Sequence, residues 1–134
     1  MSRRSITKKR YPKRDAKYDS TLVSLFIARI LRNGKKTLAN SIVLDTFDAI
    51  ETQTNTNPIQ VFETSIKNVI PLVEVKARRI GGSTYQVPLE VNQYRGTNLA
   101  LKWIITAAKA RAGRTIAEKL ANEIARCHEM TDKP

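Results

Sequence analysis

The chain has 134 residues, of which 41% are hydrophobic and 27% charged, so it is long enough for one folded domain and too apolar to be disordered throughout. The formal net charge is +12, and the single cysteine, Cys127, excludes an internal disulfide framework. No apolar run approaches the roughly 18 residues of a membrane-spanning helix. The most basic segment, residues 1–18, has no apolar face with which to lie on a membrane surface, so no membrane partner is predicted.

The positive charge is distributed unevenly along the chain. Residues 1–18 contain eight cations and one acid, whereas residues 45–75 contain five acids and one lysine. A surface that only keeps a protein soluble would interleave the two signs, so this bunching indicates a polyanionic partner. A basic protein whose charge serves solubility alone is the alternative interpretation.

The first 18 residues, MSRRSITKKRYPKRDAKY, show no helical periodicity and are dense in lysine, arginine and serine. This composition predicts a basic arm, disordered or extended, that has no fold of its own. The boundary at residue 18 leaves residues 19–134 as the folded domain.

Three helices are predicted between residues 20 and 71. Asn33-Gly34 ends the first, the polar run TQTNTN ends the second, and Asn57 caps the third with Pro58 at its first position; Pro71 ends the third. The predicted inward residues are Leu22, Val23, Phe26, Ile27, Ile30 and Leu31, then Leu38, Ile42, Val43, Phe47 and Ile50, then Val61, Phe62, Ile66, Val69 and Ile70.

Residues 73–91, VEVKARRIGGSTYQVPLEV, predict two short strands around a Gly81-Gly82 turn, since two glycines suit the positive φ angles of a primed hairpin turn. That turn places Arg78 opposite Tyr85 and Val75 opposite Pro88. The apolar residues lie at the base and the cations near the tip. We therefore expect the base to dock on the helices and the tip to project into solvent.

The tip carries groups that suit a nucleic acid. Arginine binds phosphate in a bidentate manner, and the Arg78/Tyr85 pair offers a flat surface for an unstacked base. A solvated hairpin with incidental charges is the alternative.

Two further helices are predicted after the hairpin. Thr97 or Asn98 caps the fourth, Gly113 ends it, and Thr115 with Glu118 forms a capping box for the fifth. The predicted inward residues are Leu99, Ala100, Trp103, Ile104, Ala107 and Ala108, then Ile116, Leu120, Ala121 and Ile124. The predicted fold is therefore mainly α: a five-helix bundle with a protruding two-stranded β-hairpin and the basic arm.

No group of residues indicates catalysis. Cys127 and His128 point about 100° apart on a helix, and there is no second cysteine or histidine to complete a metal site. For Trp103 and Phe62 a core role is favoured over base stacking, and the acids of the second helix are favoured as a solvated face: Asp45, Asp48 and Glu51. We predict neither an enzyme nor a cofactor.

Several long motifs resemble one family. The hairpin sequence followed by YRGTNLALKWI, the start MSRR, and the segments ARILRNGKKTLA, NPIQVFETSIKNVIP and RTIAEKLANEI resemble, in order and spacing, the bacterial-type small-subunit ribosomal protein seven family. The resemblance covers nearly the whole chain.

The resemblance implies a structural protein that binds the 3′ (head) domain of small-subunit rRNA, helps to nucleate head assembly, and lies near the exit-site tRNA and the mRNA path. It implies neighbouring head proteins and platform protein eleven as protein partners. The residues expected at the rRNA are Arg3, Arg4, Lys8, Lys9, Arg10, Lys35, Lys36, Lys76, Arg78, Arg79, Gly81, Gly82, Tyr85, Arg95, Lys102, Arg111 and Arg114.

The two ends of the chain bear on this expectation. Family members usually continue into a basic C-terminal helix with an aromatic-rich tail, whereas this chain ends at CHEMTDKP. This difference implies a shortened protein or an incomplete sequence. The contacts that this part of the family usually makes, with platform protein eleven and the mRNA exit, are therefore left open for this chain. The motifs from MSRR to YRGTNLALKW are similar to plastid and cyanobacterial members. They imply a ribosome in the plastid stroma or, alternatively, in a cyanobacterial-type cytoplasm.

The main alternative is an architectural DNA-binding protein, which also combines a helical body with basic β-arms. Such proteins place an apolar wedge at the tip of the arm, and Ile80 is the only candidate here. An enzyme that acts on RNA is a third reading, which no His/carboxylate group supports.

Overall fold

The structure, a computed structural model, describes residues 13–14, 17–18 and 20–129. These form five helices and one hairpin in the order α1 (Thr21–Ile30), α2 (Lys36–Thr54), α3 (Pro58–Val69), β1 (Val73–Ile80), β2 (Ser83–Glu90), α4 (Gln93–Ala110) and α5 (Ile116–Glu129). The prediction of a mainly α bundle with a two-stranded hairpin is confirmed. No helix in this described part of the chain is long and apolar enough to cross a bilayer.

Helix α5 is the centre of the bundle, because it packs against α2, α3 and α4. Three fully buried phenylalanines fill the space between α1, α2 and α3: the ring of Phe62 lies 5.0 Å from that of Phe26 and 5.4 Å from that of Phe47. The buried hydroxyl of Ser65 lies 2.8 Å from the Ile124 carbonyl and so adds a polar contact between α3 and α5. The core role predicted for Phe62 is confirmed.

The last described residues of the basic arm pack on this bundle. The half-buried ring of Tyr18 meets Phe47 edge-on, with 4.9 Å between centroids, and the Ser24 hydroxyl donates to the Lys13 carbonyl at 2.6 Å. The chain therefore joins the domain before residue 19, because an aromatic ring within a charged segment still has apolar area to bury. Residues 1–12 of the arm lie outside the described residues.

Most of the predicted helix ends are confirmed. Asn33 and Gly34 have φ angles of 56° and 72° after α1, and Asn55 has a φ of 55° after α2. The Asn57 side chain accepts from the Ile59 N–H at 3.1 Å, with Pro58 as the first residue of α3. In the predicted capping box before α5, Thr115 Oγ1 accepts from the Glu118 N–H at 3.3 Å.

The predicted start of α4 is wrong. The helix begins at Gln93, and its cap is Asn92, whose side chain accepts from the Arg95 N–H at 2.9 Å. Gly96 lies in the first turn of this helix. In the structure it is buried, and a Cβ there would lie 2.9 Å from Ile70 Cγ2 and 3.6 Å from Val91 Cγ1. The glycine is used to bring α4 against the end of α3.

The predicted register of the hairpin is confirmed in every pair, from Val73 opposite Glu90 to Ile80 opposite Ser83. The Val91 N–H donates to the Leu72 carbonyl, so hydrogen-bonded pairs alternate from that point to the turn. Pro88 falls in a non-hydrogen-bonded pair, where its missing N–H would point out of the ladder.

The predicted docking of the hairpin base on the helices is wrong. Leu72 is 81% exposed, Val73 55% and Val75 60%. The strands begin four residues after α3 ends, and their first apolar side chains face solvent instead of packing on the helices.

Three residues predicted to face inward on the helices are exposed instead: Leu31, Leu38 and Trp103. On α4 the buried stripe runs through Ala100, Ile104 and Ala108, and Trp103 lies about 100° away from Ile104 around the helix axis. A residue at the edge of the buried stripe can match the helical period of apolar residues and still be exposed to solvent.

Because the Gly96 backbone lies close to Ile70, a methyl group added at Gly96 should lower stability more than one added at Gly113. We expect Gly96→Ala to lower the free energy of unfolding by about 1 kcal/mol, because overpacking costs of roughly 1–3 kcal/mol exceed the gain in helix propensity. Gly113→Ala is the matched control, since a Cβ there meets only the flexible Lys119 side chain at 3.1 Å. Urea denaturation measures both variants, and equal effects at the two sites would contradict the packing role of Gly96.

Candidate nucleic-acid interface

The tip of the hairpin presents cations on both of its faces. Opposed residues share a face and successive residues alternate, so Lys76, Arg78 and Tyr85 lie on one face and Arg79 with Thr84 on the other. All five are exposed, and Tyr85 is 55% exposed. A ligand can therefore contact the tip from either side.

The turn itself is open. Gly81 and Gly82 have φ angles of 57° and 84°, which favour glycine, and in the described chain no atom beyond their chain neighbours lies within 4 Å of where a Cβ would stand. The turn that was predicted from two adjacent glycines is confirmed, and its backbone is accessible to a partner.

A second group of cations lies at the start of α2. Lys35 and Lys36, both exposed, follow the Asn33-Gly34 turn, and α2 begins without a side-chain cap at Lys35. Cations at the positive end of a helix are unfavourable in isolation and favourable beside an anion.

A groove of about 330 Å³ joins this group to the far end of α4. Its basic residues are Arg32, Lys35 and Lys109, and its floor consists of Ile30, Leu38, Ala39, Ile42 and Ile116. Sequence reasoning had not selected Arg32 or Lys109, because only the tertiary structure brings the end of α1 and the end of α4 together.

A third group lines a shallow cleft of about 470 Å³ between α1 and α4. Arg95 and Lys102, which were predicted from the family resemblance, lie there with Arg29, which was not. The remaining lining residues are Asn92, Tyr94, Asn98 and Leu99.

Arg95 already has an acidic partner. Its Nε donates to both carboxylate oxygens of Glu74, at 2.9 and 3.1 Å, and Glu74 lies on strand β1. This ion pair joins the hairpin to the first turn of α4. Contact of Arg95 with phosphate stays a prediction, and the structure gives the residue a second role in holding the hairpin.

Arg111 is also paired within the protein. Its Nε donates to Glu123 at 2.7 Å, and the Glu123 side chain is only 11% exposed. Burial of this carboxylate requires a cation beside it. Arg114, by contrast, lies exposed in the connection from α4 to α5. Contact of either residue with rRNA stays a prediction.

Cys127 does not have the properties of a nucleophile. Burial, and next the neighbouring Glu123 carboxylate, raise the pKa of its thiol, so the protonated form dominates at neutral pH. Among residues 13–14, 17–18 and 20–129, no three His, Cys, Asp or Glu side chains come together as metal ligands. Asp45, Asp48 and Glu51 are exposed on α2, which confirms their interpretation as a solvated face.

The first five predicted rRNA contacts, Arg3, Arg4, Lys8, Lys9 and Arg10, lie outside the described residues. Of the other predicted cations, the structure places Lys76, Arg78 and Arg79 at the hairpin tip, Lys35 and Lys36 at the start of α2, and Arg95 and Lys102 in the α1–α4 cleft. It sets Arg111 apart with an internal partner and leaves Arg114 exposed between α4 and α5.

Comparison with known proteins gives concordant matches. The family model described as ribosomal protein S7p/S5e matches residues 2–132. The chain is 60% identical over 124 residues to small ribosomal subunit protein uS7c of Trieres chinensis, covering 92% of this chain and 78% of that protein. It is 55% identical over 124 residues to small ribosomal subunit protein uS7 of Synechocystis sp., covering 92% of this chain and 80% of that protein.

Because Arg111 has an internal partner, its replacement should lower the stability of the fold, whereas replacement of Arg114 should not. We expect Arg111→Met to lower the free energy of unfolding by about 1–2 kcal/mol, because it leaves a buried carboxylate without its cation. This is below the roughly 3–5 kcal/mol of fully buried pairs, since 31% of the Arg111 side chain is exposed. Arg114→Met removes the same charge and should change stability by less than about 0.5 kcal/mol. Chemical denaturation measures both, and equal losses would show that the ion pair is not the cause.

Proposed function

Since the chain belongs to the ribosomal protein S7p/S5e family and is thus a structural, non-enzymatic component of the small ribosomal subunit, we propose that it binds the 3′ (head) domain of small-subunit rRNA through its hairpin tip and the start of α2. The ribosome is that of a plastid or of a cyanobacterial-type cell, in keeping with its relatives.

The hairpin tip is the observation that carries the proposal. Lys76, Arg78 and Arg79 are all exposed, and within the part of the chain that the structure describes none of them is ion-paired. Two-stranded ribbons are marginal in water, so a ribbon that extends from the body in this way is stabilised by a partner. RNA phosphates supply the negative counter-charge that these three cations lack within the described protein.

The physical basis of binding combines charge and shape. Displacement of counterions by the cations supplies affinity that depends on salt, while specificity comes from the fold of the RNA. The deep groove of an A-form helix is closed to side chains, so an exposed tip with an accessible backbone suits a junction or an unpaired loop better than plain duplex.

The proposal extends to what surrounds the head domain. Strands of eight residues carry the tip about 26 Å from the helices. A projection of that length supports contact beyond one rRNA helix. We therefore also propose that the protein helps to nucleate head assembly, that it contacts neighbouring head proteins and platform protein eleven, and that it lies near the exit-site tRNA and the mRNA path.

Removal of the tip arginines tests the proposal. We expect Arg78→Ala/Arg79→Ala to weaken binding to a 3′-domain rRNA fragment on the order of tenfold and to reduce the slope of log K against log salt by about 1.5, because two phosphate contacts are lost. The matched control is Lys67→Ala/Arg126→Ala, which removes two exposed cations from α3 and α5 and should leave the slope nearly unchanged. An unchanged slope in the hairpin variant would mean that the tip does not touch phosphate.

One observation favours the DNA-binding alternative. Ile80 at the tip is 62% exposed, as an intercalating wedge would be. Competition at fixed salt separates the two functions, and we expect duplex DNA not to displace the rRNA fragment at equal concentration. Displacement would favour the alternative.

The Glu74–Arg95 ion pair predicts an effect opposite to that of charge alone. Glu74→Gln makes the protein more positive, which by itself favours RNA binding. We expect weaker binding instead, by roughly 2- to 5-fold, because loss of about 0.5–1 kcal/mol of orienting contact frees the hairpin. Glu90→Gln is the matched control: it removes the same charge from the exposed acid on β2 and should leave affinity equal or slightly higher. Filter binding measures both, and a gain in affinity with Glu74→Gln would contradict the orienting role.

A further inference from the structure

The outward face of α4 forms a cationic stripe. Arg95, Lys102 and Lys109 follow one another at intervals of seven residues, which places them on one side of the helix about 10 Å apart. All three are exposed, and α4 contains no acidic residue. Arg95 is paired with Glu74 on β1, whereas Lys102 and Lys109 form no ion pair within the described chain. A helix face that is merely solvated would carry both signs along its length, so the part of this face beyond Arg95 is suited to a polyanion.

A large aromatic side chain lies about 100° around the helix axis from this stripe. Trp103, the single tryptophan of the chain, directly follows Lys102 and is 45% exposed. Within the described part of the chain its indole N–H has no acceptor. Trp103 lies at the edge of the buried stripe of α4, and nearly half of its surface is accessible to a partner.

The positive charge near Trp103 indicates which partner would cover its ring. A second copy of the chain would bring two such cationic stripes together, which is unfavourable. An RNA strand supplies both the negative charge for Lys102 and Lys109 and the flat π face that stacks on an aromatic ring. Stacking is available only to a base that has left its duplex, because the stacked neighbours within a duplex already cover both faces of each base.

Resting on the proposed function, we propose that Trp103 stacks on one unpaired base of the bound rRNA, with Lys102 and Lys109 contacting phosphates on either side of that base. Trp103 is thus a second contact point on the body, separate from the hairpin tip. The predicted core role of this residue is replaced by a role in binding.

The single tryptophan permits a direct measurement on the full chain. Titration with a 3′-domain rRNA fragment should quench the Trp103 emission, because a stacked base removes the ring from solvent and quenches its excited state. The quenching should follow the same binding curve as an independent filter-binding assay. Emission that is unchanged when the fragment is saturating would overturn the proposal.

Substitution separates stacking from charge. We expect Trp103→Leu to weaken binding about 5- to 100-fold, the range that base–aromatic stacking implies, with an unchanged salt slope because no counterion is released by a ring. Trp103→Phe keeps a stacking face and should recover most of the affinity. Lys102→Gln is the complementary variant, and it should lower the salt slope by about 0.7–0.9.

The outcomes distinguish this inference from the proposed function. If Trp103→Leu binds like the unmodified chain while the Arg78→Ala/Arg79→Ala variant is weakened, the stacking role is wrong and the rRNA function stands. If the unmodified chain does not bind the fragment at all, the proposed function itself fails. Equal losses with Trp103→Leu and Trp103→Phe would show that packing rather than stacking was removed, and would also overturn the proposal.

Discussion

The position of the hairpin depends on one close contact, between the first turn of α4 and the end of α3. Gly96 allows the α4 backbone to approach Ile70 and Val91, and the Glu74–Arg95 ion pair adds a polar contact on strand β1. Few other contacts join the ribbon to the bundle, since its apolar base is exposed. Because the ribbon is about 26 Å long, a rotation of about 10° at this contact moves the tip by about 5 Å. The position of the tip cations therefore depends on Gly96, which is distant from them.

Internal acids divide the cations of this protein into two classes. Arg95 and Arg111 are paired with Glu74 and Glu123, and each pair joins two elements of the fold. Lys76, Arg78 and Arg79 extend beyond the reach of the acids of the bundle. A net charge of +12 thus includes cations that stabilise the domain and cations that are available to a partner. Counting charges along the chain does not separate the classes, because pairing is decided between residues 12 or more positions apart.

Local signals in the sequence predicted local structure well. Asn57 with Pro58 marked the start of α3, and Gly81 with Gly82 marked the turn and, with it, the register of every strand pair. Helical periodicity identified the buried phenylalanines. The errors occurred where a neighbour in space overrides a local signal. Thr97 or Asn98 was predicted to cap α4, whereas the helix begins at Gln93 and packs closely at Gly96. Trp103 fits the apolar period of α4 and is exposed, because it lies at the edge of the buried stripe.

The sequence by itself determined the class of the protein, the kinds and order of its elements, the hairpin register and the basic character of its interface, because periodicity, caps, turns and charge act between residues that are near in the chain. Only the tertiary structure decided which cations form common surfaces. Lys35 shares a groove with Lys109, Arg29 shares a cleft with Lys102, and Arg111 has an internal partner. These relations depend on how α1 packs against α2 and α4, and on how α5 packs against α2, α3 and α4. Packing is set by the fit of whole surfaces, which no short stretch of sequence contains.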